Sequence, residues 1–315
     1  MSIALVLGAG GLTGQAFHAG VLAALADHGW DARDADLVVG TSAGAAAGAY
    51  LRLGLSAPDL TALLTDEELS PAGRALVDRL GPSGDWTEPT RSRTWSPPHP
   101  RLVGRMVRTP WRVRPEALLG CAIPTGRIDP ESWTSALRPV AGSVWPTAPL
   151  WLCTIRMDDT RRVVFGRTDA PGTDLATAVG ASCAIPGFFA PVTIHGRRYV
   201  DGGLHSPTNA DVLRRDAPDL VIVSSPMSMS SRARLRPGRA PRGHFRARLG
   251  QELRRLRRAG SSTLVFQPSE DDLVAMGGRT MDPDRVAAVA RQAYATTVRR
   301  LAERPLPAES IAASG

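Results

Sequence analysis

The chain has 315 residues and a formal net charge of +8, with 38 basic side chains, all of them arginine, against 30 acidic ones. That length can bury a large core as one domain, or as one domain with a cap. No run approaches the ~20 apolar residues of a membrane-spanning helix, and the start shows neither a basic leader nor a cleavage site, so a cytoplasmic protein is expected. Three widely spaced cysteines, Cys121, Cys153 and Cys183, are odd in number, form no metal pattern and suggest a reducing compartment.

Ile3 to Leu7 is an apolar run that predicts a first buried strand. Gly8-Ala9-Gly10-Gly11-Leu12-Thr13-Gly14 follows, and Gln15 to His28 reads as a helix, with Phe17, Val21, Leu22 and Leu25 near 3.6-residue spacing. The glycines do not fit the dinucleotide pattern Gly-x-Gly-x-x-Gly, because position 13 is Thr13, and no Gly-Lys-Ser/Thr of a P-loop is present. An oxyanion hole of backbone N–H groups, best supplied by Gly10 and Gly11, remains, beside the plainer reading of a tight turn.

A second strand, Asp36 to Val39, ends at Gly40-Thr41-Ser42-Ala43-Gly44, and Ala43 to Tyr50 reads as a helix. Gly-x-Ser-x-Gly at a strand-to-helix turn suits a nucleophile, since neighbouring elements pass close to it. The free N–H groups at the start of the following helix favour a developing oxyanion.

From about residue 81 to 115 the chain carries Trp86, Trp95 and Trp111 among seven prolines and several arginines. Tryptophan with arginine suits a lipid–water interface, so the segment reads as a cap or lid over about 81–120, or as a variable surface loop. Leu150 to Ile155 and Arg162 to Phe165 read as strands joined near Asp158-Asp159, and Leu175 to Ser182 as a helix. Asp158-Asp159 and Asp271-Asp272 lack calcium-loop spacing and read as turn or cap residues.

Asp201-Gly202-Gly203 supplies an acid on a distant turn. The histidines are His18, His28, His99, His195, His205 and His244; only His205 and His244 follow Asp201, His205 on the same turn as the acid and His244 in an arginine-rich stretch. A Ser–His–Asp order is therefore poorly served, and direct proton acceptance by Asp201 from Ser42 fits better, with burial raising its proton affinity. Buried strands follow at Leu220 to Val223 and Thr263 to Phe266, and a terminal helix over Pro283 to Glu303.

These blocks, together with Ala181-Ser182-Cys183-Ala184-Ile185-Pro186-Gly187-Phe188-Phe189 upstream of the acid and Tyr199-Val200 leading into it, resemble the patatin-like phospholipase family. The resemblance covers roughly residues 1–60 and 175–225. It implies a three-layer α/β/α fold with a mainly parallel central sheet and a cap insertion. It implies Ser42 as nucleophile, Asp201 as base, and Gly10 and Gly11 as oxyanion donors, with Gly8, Gly14, Gly40, Gly44, Gly202 and Gly203 supporting the motifs; the Ala43 amide at the start of the following helix is a further candidate donor. It also implies hydrolysis of lipid acyl esters without a metal or organic cofactor. Many members carry a basic residue where this chain has Thr13, which bears on rate and substrate more than on reaction class. A transacylase and a weakly active membrane-surface lipid-binding protein are the alternatives.

Residues 232–258 hold eleven arginines and one acid, Glu252, with Phe245, Leu249, Leu253 and Leu256 as a helical apolar stripe. Such a segment is an ordinary surface helix or a peripheral contact with an anionic membrane. Nucleic-acid binding is not expected, because no recognition module accompanies it. The domain is expected to span residues 1–304, with a frayed tail over 305–315, and oligomeric state is left open.

Overall fold

The computed structural model describes residues 1–82, 100–108, 123–142, 145–234 and 237–306. The expected insertion with Trp86, Trp95 and Trp111, and Cys121, lie outside these residues, apart from one helix. In chain order the main elements are β1 (Ile3–Leu7), α1 (Gly11–Asp27), β2 (Leu37–Gly40), α2 (Ala43–Arg52), α3 (Ala57–Thr65), α4 (Pro71–Val77) and α5 (Pro100–Arg108). After three short helical turns within residues 131–141 come β3 (Leu150–Arg156), β4 (Arg161–Phe165), α6 (Leu175–Cys183), β5 (Val192–Ile194) and β6 (Arg197–Asp201). The chain closes with β7 (Leu220–Ser224), α7 (Ala240–Arg258), β8 (Ser262–Phe266), α8 (Glu270–Met276) and α9 (Val286–Glu303).

Among the described residues the sheet runs β5-β6-β3-β2-β1-β7-β8, with β4 beside β3. The central strands β3, β2, β1, β7 and β8 are mutually parallel, whereas β4, β5 and β6 pair antiparallel. Parallel strands need cover on both faces, and β1 shows the division. Ile3, Leu5 and Leu7 face a core filled by α1, α2, α3, α6 and α9, while Ala4 and Val6 face Leu249, Leu253 and Leu256 of α7. The result is the expected three-layer α/β/α arrangement.

Boundaries depart from the sequence reading in places. Helix α1 starts at Gly11 rather than Gln15, so the extended part of the glycine loop is only Gly8 to Gly10. Helix α2 continues to Arg52, and the terminal helix divides into a 3₁₀ turn, Pro283–Arg285, and α9. Leu306, at the start of the expected tail, is buried against the main core, and residues 307–315 of that tail lie outside the described residues. The one described helix of the 81–120 region, α5, sets Leu102 against Ile155, Met157 and Val200, the last of which precedes Asp201.

Three of the four residues of the apolar stripe on the arginine-rich helix face the sheet: Leu249, Leu253 and Leu256 are buried there, Phe245 is half-buried, and the outer face is mainly arginine. Glu252 is buried as well. Its carboxylate accepts from the Thr208 hydroxyl at 2.6 Å and the Ala210 N–H at 3.1 Å, tying α7 to the segment that follows Asp201.

Candidate active site

Strand register brings Ser42 and Asp201 together from opposite halves of the chain. Gly40 pairs with Leu152 of β3, and Asp201 pairs with Thr154 of the same strand. Ser42 lies two residues past Gly40, as Thr154 lies two past Leu152, so nucleophile and acid emerge at one level of the sheet. Both are buried, at 3% and 5% exposure.

Ser42 has φ 55° and ψ −119°, a strained conformation for a residue with a Cβ. The turn is held there by contacts from far along the chain. The Ser42 N–H donates to Ser182 Oγ at 3.0 Å, and the Ser182 hydroxyl donates to the Cys153 carbonyl at 2.8 Å. The Cys183 thiol donates to the Ser42 carbonyl at 3.3 Å. Tightness demands glycine at position 44, where a Cβ would sit 2.0 Å from the Leu7 carbonyl oxygen.

The Ser42 side chain makes no capping bond to its own helix. Its partner is the Asp201 carboxylate, which also accepts the Gly203 N–H at 2.7 Å. Burial pushes the Asp201 carboxyl up to about 6, and the hydrogen bonds from Ser42 and Gly203 only partly oppose it. A carboxylate with that proton affinity can take a hydroxyl proton near neutral pH.

The expected oxyanion donors sit at two helix starts. Gly10 is the N-cap of α1, Gly11 its first residue, and Ala43 the first residue of α2. Within the described residues, none of these three N–H groups donates a hydrogen bond. First-turn amides have no partner inside their helix and carry partial positive charge. The two starts are packed together: a Cβ on Gly14 would lie 3.8 Å from Cβ of Ala43, and the Gly44 N–H donates to the Gly8 carbonyl at 3.2 Å. On the other side a Cβ on Gly203 would lie 3.4 Å from Cβ of Ala9. All the motif residues therefore converge on one place.

Besides Ser182, two further residues missed from sequence hold this assembly. His18 is fully buried, which lowers its pKa to about 4 and keeps it neutral. Its Nε2 lies 2.7 Å from the Gly8 carbonyl and its Nδ1 2.8 Å from Ser224 Oγ. A carbonyl only accepts, so Nε2–H donates to Gly8 and the Ser224 hydroxyl donates to Nδ1. Asn209, with φ 50°, donates from Nδ2 to Thr41 Oγ1 at 3.2 Å and to the Gly202 carbonyl at 3.2 Å. It thus joins the neighbour of the serine to the neighbour of the acid.

The remaining titratable candidates take other roles. Burial lowers His205 to about 4, and Arg248 donates to its carbonyl at 3.1 Å. His244 lies on α7, edge-on to Phe245. Asp159 pairs with Arg156 at 2.7 Å and Asp158 with Arg197 at 2.9 Å, while Asp272 completes a capping box with Ser269. Among the described residues no cluster of His, Cys, Asp or Glu has metal-binding geometry. Thr13 is buried beneath residues 277–282, its N–H donating to the Thr280 carbonyl at 3.0 Å.

The sequence matches the model of the patatin-like phospholipase family over residues 5–214. The chain belongs to the patatin-like phospholipase family. Membership makes it a lipid ester hydrolase by class. Among solved structures it is similar to VipD from Legionella pneumophila, with 14% identity and a TM-score of 0.46 over 96% of this chain and 67% of that one. It is also similar to the type III effector protein ExoU, with 19% identity and a TM-score of 0.40 over 97% of this chain and 54% of that one. The chain spans about two thirds of the length of VipD and about half that of ExoU. No curated protein matches the sequence. Among the described residues no helix is long and apolar enough to cross a membrane.

Proposed function

We propose that this patatin-like protein cleaves carboxylic esters of lipids through a Ser42–Asp201 dyad and an acyl-enzyme. Asp201 accepts the Ser42 proton as Oγ attacks the ester carbonyl, and the N–H groups of Gly10, Gly11 and Ala43 carry the oxyanion. Collapse of the tetrahedral intermediate expels the alcohol, which takes the proton back from Asp201. Water then attacks the acyl-enzyme, gives its proton to Asp201, and the acid leaves as Ser42 is restored. No histidine is needed, because the base is the carboxylate itself.

The observation that carries this reading is that strand register sets Ser42 and Asp201, both buried, at one level of the sheet, with burial raising the Asp201 carboxyl to about 6. The strained turn at Ser42 and the unspent amides beside it are further support. Helix α5 reaches the residue before Asp201 through Leu102, which fits the start of a cap beside the acid. Contact with an anionic membrane surface would be electrostatic, through the outer arginines of α7, since its leucines are buried.

Release of chromophore from short- and long-chain p-nitrophenyl esters tests the assignment. Ser42→Ala and Asp201→Asn are each expected to lower kcat/KM by on the order of 10³-fold or more, with native circular dichroism. Equal activity in wild type and both variants would remove the dyad as catalyst.

A further inference from the structure

Behind the dyad, on the α7 face, lies a polar cavity of about 420 Å³ between β4, the turn over residues 210–215 and α7. Arg162, Arg167, Arg214, Arg215 and Arg255 line it against one carboxylate, Asp211. It adjoins a second cavity of about 510 Å³ that shares Arg162, Arg167 and Val212. We propose that this cavity is a binding site for a multiply charged phosphate group, either a lipid headgroup or a free phosphorylated anion.

Charge balance is the first argument. Asp211 already receives Arg162 at 2.6 Å and Arg255 at 3.6 Å. Arg214 and Arg215 are exposed, adjacent on one turn, and make no ion pair among the described residues. With Arg162 and Arg255 on Asp211 and Arg167 on Asp169, two carboxylates face five guanidinium groups, and the excess positive charge of the cavity attracts an anion.

Preorganisation is the second. The Arg162 side chain is only 20% exposed and is fixed by Asp211 and by Asn209 Oδ1 at 3.1 Å. Arg167 is held between Asp169, at 3.0 Å, and the Trp151 ring, 5.1 Å from the centroid. Side chains ordered before binding lose less entropy when a ligand arrives. Guanidinium forks match the tetrahedral oxygens of phosphate, two bonds at a time.

The lining also says what the cavity does not take. Among the described residues Val212 is the only apolar side chain that lines the smaller cavity, so an acyl chain would gain little there. The volume lies within the range of small-molecule sites. The wall belongs to the segment that carries Asp201, and Arg162 shares Asn209 with Thr41 and Gly202. The cavity is thus a separate site backed against the dyad, and its binding readout does not depend on the esterase reading.

Calorimetric titration of the full chain with inorganic tripolyphosphate tests it directly. Wild type is expected to bind at one saturable site, and Arg214→Glu with Arg215→Glu to weaken binding by about tenfold or more. A control with the same charge change, Arg258→Glu with Arg291→Glu, alters exposed arginines outside the cavity and is expected to bind like wild type. Absence of saturable binding in wild type, or equal weakening in both double variants, would overturn the proposal. Co-sedimentation with phosphatidylcholine vesicles carrying phosphatidic acid assigns the source. Cavity-dependent sedimentation displaced by tripolyphosphate supports a headgroup ligand; calorimetric binding without such sedimentation supports a soluble one.

Discussion

Asp201 and Asp211 are ten residues apart on one segment, both withdrawn from solvent, and their environments drive them in opposite directions. Burial raises Asp201 to about 6, and its partners are a hydroxyl and an amide. Burial pushes Asp211 up as well, but the hydrogen bond and charge of Arg162 outweigh it and hold the carboxyl below its ordinary value. Burial without a cation makes a base, and burial beside a guanidinium makes an ion pair. Asn209 stands between the two, bonded to Arg162 through Oδ1 and to Thr41 and Gly202 through Nδ2.

The largest expected contrast is catalytic. Asp201→Asn is expected to remove activity by on the order of 10³-fold, and Asp211→Asn to leave kcat/KM within a few-fold of wild type. A comparable loss in both, measured on the same ester, would mean that the two carboxylates are not functionally distinct.

Stability should then move the opposite way. The raised Asp201 carboxyl binds its proton more tightly in the folded chain than in the unfolded one. Its contribution favours folding below about pH 4 and is lost as pH rises through about 6. A neutral amide at this position escapes that cost, so Asp201→Asn is expected to gain about 1–3 kcal/mol at pH 7 in urea unfolding. The lowered Asp211 contributes stability at neutral pH that is lost as pH falls, and Asp211→Asn is expected to cost about 1–2 kcal/mol. Destabilisation by Asp201→Asn at pH 7 would contradict the raised carboxyl.

Smaller effects probe the support of the turn. Ser182→Ala leaves the Ser42 N–H without its buried acceptor and is expected to cost about 1–2 kcal/mol, together with a fall in kcat. Ser42→Gly relieves the positive φ and is expected to add up to about 1 kcal/mol while abolishing turnover, as thermal unfolding and ester assays would report.

Much of the fold was legible because its central strands are continuous apolar runs: β1, β2, β7 and β8 read correctly to within a residue or two. Helices α3 and α4 and the three-residue β5 carry weak periodicity and went unread. The short motifs pointed to Ser42, Asp201 and the helix-start amides, since each is a local turn with a chemical signature. Ser182, Asn209 and His18 were not legible as parts of the site. Their partners are 140, 168 and 206 residues away, and only strand register reveals which turns meet. The stripe on α7 was read correctly as helical, but whether it faced core or solvent depended on Val221, Val223 and Val265, which the helix itself does not encode. Glu252, alone among eleven arginines, was the available clue that this helix turns inward.

The central claim is that Asp201 is the base for Ser42, and the pH dependence of Ser42 labelling by a fluorophosphonate tests it most directly. The rate in wild type is expected to rise with a single midpoint near pH 6, falling about tenfold for each pH unit below it, and to collapse in Asp201→Asn across the range. A midpoint well away from 6, or labelling in Asp201→Asn as fast as in wild type, would contradict the account.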